Sequence, residues 1–252
     1  MSTLHRTILL ITAAALLTIG APVSASEMDD RIESSARNSY VFKTYLKGDD
    51  IKIESQNGAV ILTGVVSEES RRGLARETVA GQPEVISVDN RLTVKGASPT
   101  PNSDAWLGEK VKATLLFRRS VSADTTAVYV KDGVVTLRGD AVSQAQKDLT
   151  GEYAKDVEGV KDVNNEMTLS KNPEKGVMSV TGKIDDASIT AQVKMALLFH
   201  RSTSALSTKV ETHDGLVTLY GKASNTAEKD LVNKLVSDIN GVKSINNRMT
   251  IE

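Results

Sequence analysis

Asp132-Gly133-Val134-Val135-Thr136-Leu137-Arg138-Gly139 is the stretch that decides the fold. An Asp-Gly pair tolerates the positive φ angles of a type I′ turn, whose twist suits the strands on either side, so it predicts a tight hairpin. Before the turn Val128 and Val130 alternate with Tyr129; after it Val135 and Leu137 alternate with Thr136. A period of two marks strands with one buried face. The same signature recurs as Asn57-Gly58-Ala59-Val60-Ile61-Leu62-Thr63-Gly64 and as Asp214-Gly215-Leu216-Val217-Thr218-Leu219-Tyr220-Gly221.

Working outward, offsets of 75 and 82 residues keep the copies aligned without a gap. Asp29, Asp104 and Asp186 align at the start of each copy. Ile32, Leu107 and Ile189 follow, then Phe42, Phe117 and Phe199. Near the end, Val85, Val160 and Val242 align, as do Asn90, Asn165 and Asn247. This self-similarity is the mark of a repeated structural unit. The units span 29–94, 104–169 and 186–251, each 66 residues long. Between them, 95–103 carries Pro99 and Pro101, and 170–185 carries Pro173, Gly176 and Gly182, the composition of linkers.

Within the second unit Asp104 is placed as a helix N-cap, its carboxylate accepting from the free N–H groups of the first turn. Leu107, Val111, Thr114 and Leu115 then recur at helical spacing. The helix is expected to end near Arg119, and its counterpart near Arg201. The hairpin follows. A second helix comes next, clearest in the third unit, where Ala227, Leu231, Leu235 and Ile239 share a face behind Ser224 or Asn225 as cap. A last strand reads Val163, Asn165, Met167, Leu169. The fold class is therefore α+β: three tandem α-β-β-α-β units, each a small three-stranded sheet covered on one face by two helices. A right-handed crossover sets the last strand parallel to the second. A unit this small is marginal alone, so contacts between units are expected to add stability.

The 252 residues carry a formal net charge of −1, which lacks the basic excess of a nucleic-acid binder. His5 and Arg6, an apolar run from Ile8 to Ile19, and the small residues Val23-Ser24-Ala25 make a secretory signal over residues 1–25, with cleavage after Ala25. The run falls short of the roughly 20 residues that span a bilayer. The chain has no cysteine, which removes disulfides, thiol chemistry and a lipid-bearing cysteine. A soluble periplasmic protein fits these features.

The pattern resembles the BON domain family. The residues that carry the resemblance are Gly133, Val135, Leu137 and Gly139 with Gly159-Val160, and Gly215, Val217, Leu219 and Gly221 with Gly241-Val242. The first unit departs, with Pro83-Glu84 where the others have the late glycine. The resemblance implies an envelope protein that attaches to phospholipid membranes, protects against stress and has no enzyme activity.

The residues carry little that points to catalysis. Beyond the leader the histidines are His200 and His213, on different predicted elements and without a metal-ligand partner at short spacing. Asp29-Asp30 and Asp185-Asp186 sit where helix capping accounts for them. Gly215 to Gly221 with Lys222 lacks the spacing and the hydroxyl residue of a phosphate loop. No enzyme, cofactor, metal or small-molecule substrate is expected.

Lipid contact is the sharper reading. At about 100° per residue, Trp106, Lys110, Ala113 and Phe117 form a stripe apart from the core positions Leu107, Val111 and Thr114. Arg118 and Arg119 close the helix. Tryptophan favours the membrane boundary, and cations there attract anionic head groups. The candidate lipid-binding residues are thus Trp106, Lys110, Phe117, Arg118 and Arg119. Two plainer readings stand beside this one. Trp106, absent from the other units, could pack between units, and the cations could offset a helix C-terminus. The partner is an anionic phospholipid surface, or alternatively envelope proteins held in a chaperone-like way by exposed strand edges or apolar helix flanks.

Overall fold

The computed structural model describes residues 23–96, 98–170, 183–203 and 208–252. Most of the expected leader, and Pro173, Gly176 and Gly182 of the second connector, lie outside the described residues. No helix among the described residues is long and apolar enough to cross a membrane.

Unit 1 holds α1 (Val23–Asn38), α2 (Tyr40–Thr44), β1 (Asp50–Gln56), β2 (Ala59–Val66), α3 (Glu69–Ala80), β3 (Ser87–Asn90) and β4 (Thr93–Val94). Unit 2 holds α4 (Asp104–Leu116), β5 (Thr126–Lys131), β6 (Val134–Ala141), α5 (Gln144–Lys155), β7 (Asp162–Asn165) and β8 (Thr168–Leu169). Unit 3 holds α6 (Asp186–Phe199), β9 (Lys209–His213), β10 (Leu216–Tyr220), β11 (Lys222–Ala223), α7 (Thr226–Ser237), β12 (Ser244–Asn247) and β13 (Thr250–Ile251). The protein is α+β, with small mixed sheets in three BON-like repeats.

Each hairpin pairs antiparallel and each last strand returns parallel to the second, as β2 with β3, β6 with β7 and β10 with β12. The turns have positive φ at both central positions, 55° and 81° at Asp132 and Gly133. The last strand is broken rather than continuous: β7 and β8 both pair with β6 but are separated by Glu166 and Met167. Asn165 spans the break. Its Oδ1 accepts from Met167 N at 3.3 Å, and its Nδ2 donates to the Lys147 carbonyl of α5 at 2.7 Å. Asn90 and Asn247 do the same in their units, which explains why asparagine recurs there.

The aligned aspartates correct the expectation of helix capping. Ser103, not Asp104, caps α4, and Asp185, not Asp186, caps α6. Asp29 lies inside α1. The carboxylates of Asp29, Asp104 and Asp186 instead accept the two N–H groups of the hairpin turn, at 2.7 to 3.0 Å. They tie the first helix to the turn.

Unit 2 keeps its own core, built on Leu107, Val111, Leu115, Val135, Leu137 and Met167. Units 1 and 3 share a larger one, joined by Ala113 and Phe117 of unit 2. Every residue of α6 from Ala187 to Val193 is buried. A helix covered on all sides is a central element, and α6 lies between its own sheet and α3 of unit 1, with Lys194 paired to Glu77 at 3.0 Å.

Candidate functional site: the grooves beside the first helices

The contact between units 2 and 3 is reciprocal. Arg119 N donates to the Asp238 carbonyl, and Arg201 N to the Asp156 carbonyl, both at 3.0 Å. Asn240 N donates to the Phe117 carbonyl, and Glu158 N to that of Phe199. The Arg119 guanidinium holds the carbonyls of Ile239 and Val242; that of Arg201 holds those of Lys155, Val157 and Val160. These pairs are related by the 82-residue offset, so one face of the unit meets its own copy. The arginines do serve helix C-terminal regions, but those of the facing unit rather than their own.

This contact takes up most of the expected lipid stripe. Phe117 and Arg118 are 1% and 3% exposed, and Lys110 is buried with Nζ on the Glu158 carbonyl at 2.6 Å. Arg118 Nη1 donates to the Leu235 carbonyl at 2.5 Å, its guanidinium lies 4.4 Å over the Tyr153 ring, and burial pushes its pKa down. Arg119 is exposed at the rim with its guanidinium engaged. Trp106 is half-buried, edge-on to Phe199 of unit 3 at 6.1 Å. The helical spacing that set these residues apart from the core of unit 2 turns Trp106, Phe117 and Arg118 toward units 1 and 3, and Lys110 toward Glu158 of its own unit; Lys110, Phe117 and Arg118 are buried.

Glu109, on the same helix, fastens unit 1. Its Oε2 accepts from Glu69 N at 2.9 Å and Ser70 N at 3.3 Å, filling the start of α3, where Glu68 makes no cap. Burial nevertheless pushes its carboxyl pKa up.

Chemistry-bearing clusters are sparse among the described residues. The ligand atoms of Asp186, His213 and Asp214 lie within 4.8 Å of one another. Both oxygens of Asp186 already accept backbone N–H groups, so its charge serves the turn.

The surface features that repeat are grooves. One lies beside the first helix of every unit, lined at equivalent positions: Arg37, Phe42 and Ile51 in unit 1, Lys112, Phe117 and Thr126 in unit 2, Lys194, Phe199 and Thr208 in unit 3. Their volumes are about 510, 460 and 580 Å³. In units 2 and 3 residues of unit 1, including α3, form the far wall. In unit 1 the groove is lined, among the described residues, by unit 1 alone, and Lys43 and Lys47 stand exposed beside the half-buried Phe42. Neither lysine makes an ion pair among the described residues. Asp49 in that groove is committed elsewhere, to Arg71 at 3.1 Å and to Ser67 N at 2.8 Å. Phe42 stands out in the sequence through its alignment with Phe117 and Phe199, whereas Lys43 and Lys47 do not, although the 75- and 82-residue offsets align further cations at 37, 112 and 194.

Comparison with known proteins agrees with this architecture. The family model for the BON domain matches residues 28–96, 103–171 and 185–252. The chain is 30% identical over 197 residues to the Osmotically-inducible protein Y of Escherichia coli, covering 78% of this chain and 95% of that one. It is 29% identical to the Outer membrane lipoprotein DolP of Haemophilus influenzae, over 54% of this chain and 71% of that one. It is 30% identical to the 21 kDa hemolysin of Actinobacillus pleuropneumoniae, over 45% of this chain and 59% of that one. Three matched domains and a relative covered almost end to end place this chain in the BON domain family.

Proposed function

We propose that this chain is a non-enzymatic protein of the bacterial envelope, exported to the periplasm, that attaches peripherally to anionic phospholipid. The observation that carries the reading is the open groove of unit 1. Phe42 offers an apolar surface there, and Lys43 and Lys47 offer charges that no carboxylate among the described residues takes up. In units 2 and 3 the aligned Phe117 and Phe199 are buried between units. Unit 1 is thus the copy whose aromatic and cations remain available. An aromatic ring with adjacent cations suits the boundary of a negatively charged bilayer. The relative named as an outer membrane lipoprotein supports a place at the envelope, and the one named as osmotically inducible supports a part in envelope stress protection.

Sedimentation with phosphatidylglycerol vesicles against phosphatidylcholine vesicles tests this. Each lysine near an anionic surface contributes about 1 kcal/mol. The double variant Lys43→Ala, Lys47→Ala is therefore expected to bind phosphatidylglycerol about thirtyfold more weakly, with Trp106→Ala much less affected. Absence of binding at low salt, or equal binding by the double variant, rules the reading out.

A further inference from the structure

The groove of unit 2 runs along the edge strand of its sheet. Strand β5 pairs with β6 on one side and with no strand on the other among the described residues. The register closes the hairpin at Lys131 and Val134, so Lys131, Tyr129 and Ala127 exchange backbone hydrogen bonds with β6. Val128 and Val130 are one residue out of phase, and their N–H and C=O groups point away from the sheet. A row of free backbone groups is a template for another strand.

Beside that edge lies the groove of about 460 Å³. It is lined by the half-buried Leu116, by the buried Ala113 and Phe117, by Tyr45 and Leu74 of unit 1, and by Lys112 and Glu68. The lining continues the contact between units, because the Phe117 ring packs 5.9 Å from that of Tyr45. Lys112 and Glu68 lie 3.8 Å apart and offset each other's charge. Arg71, which also lines the groove, pairs with Asp49 at 3.1 Å, so each charged side chain here has a partner, and an extended backbone finds donors and acceptors along β5.

We propose that this groove takes an extended segment of another polypeptide by strand addition to β5. Alternate side chains of the segment turn into the groove toward Leu116, and the others turn to solvent. The site is separate from the cationic groove of unit 1, and this inference does not rest on the lipid reading.

The test uses the full chain and a capped peptide of alternating Val and Thr, about ten residues long. Amide hydrogen exchange is followed by NMR. The peptide is expected to slow exchange at Val128 and Val130 about tenfold or more and to leave Tyr129, already in the ladder, unchanged. N-methylating the peptide at one alternate set of residues is expected to abolish binding, and at the other set to preserve it, with no change made to the protein. Equal tolerance or equal loss for both sets overturns the proposal. So does protection absent from Val128 and Val130, or protection there by phosphatidylglycerol vesicles but not by the peptide.

Discussion

The carboxylate of Asp104 holds the backbone N–H of Gly133 at 2.9 Å and that of Asp132 at 2.7 Å. A turn with positive φ at both central residues leaves these groups pointing outward, and the aspartate satisfies both at once. Hydrogen bonds to a charged group contribute about 1.5–3 kcal/mol each before the acceptor's own ordering is counted. Asp104→Ala is expected to destabilise unit 2 by about 2–3 kcal/mol and Asp104→Asn by less, because the amide keeps one acceptor. Urea unfolding of the two variants measures the difference, and equal loss would show that the turn needs charge rather than an acceptor.

Gly139 sits at φ 128°, and a Cβ there would lie 1.8 Å from the Thr125 carbonyl oxygen. Backbone on both sides leaves no room to yield. Gly139→Ala is expected to destabilise by about 3 kcal/mol or more. Gly96 also has positive φ, at 83°, but has nothing within 4 Å, so Gly96→Ala is expected to cost about 1 kcal/mol. Urea midpoints of the two variants separate steric contact from torsion.

Glu84 adopts φ 67° where the other units place Gly159 and Gly241 at 97° and 88°. The loop of unit 1 thus keeps the left-handed conformation without glycine. Its exposed pair with Arg31, at 3.3 Å, offsets little of the strain. Glu84→Gly is expected to stabilise unit 1 by about 0.5–1 kcal/mol, read as a higher urea midpoint.

His200 takes the place in unit 3 that Arg118 takes in unit 2. Its Nδ1 accepts from Ser202 N at 3.1 Å; its Nε2 has no hydrogen-bond partner and lies 3.7 Å from Asp156. Burial holds the imidazole below its ordinary pKa of 6.5; Asp156 opposes this, and Arg118 and Arg201 reinforce it. The unfolded chain therefore takes up this proton at a higher pH than the folded one. Stability is full above about pH 6.5 and falls as the pH drops below it toward the folded value. His200→Gln is expected to flatten that dependence, measured as the gap between urea midpoints at about pH 7.5 and pH 5.5. An unchanged gap would place the titration elsewhere.

Local chemistry made much of the fold legible. Asp132-Gly133 announced its turn because few other dipeptides accept two positive φ angles, and the alternation around it announced the strands. Asp104 was misread as a cap because a carboxylate at a helix start serves its own first turn or a neighbouring turn equally well. The break at Glu166 and Met167 was hidden because Val163 to Leu169 alternates straight through it; the Asn165 side chain that spans it acts on backbone groups. The groove cations at 37, 112 and 194 were visible as an aligned column, but nothing along the chain distinguishes a groove wall from an ordinary helix surface.

By itself the sequence determined that this protein is three copies of an α-β-β-α-β unit, since turn type and hydrophobic period are properties of neighbouring residues. Tertiary structure decided which copies of a shared face are sealed and which is open. Phe117 and Phe199 are buried because Arg119 and Arg201 reach carbonyls more than 40 residues away in each direction, and a carbonyl has no letter in the sequence. Phe42 carries the same letter at the same place in its unit and stays half-buried, because unit 1 makes no such reciprocal contact there among the described residues.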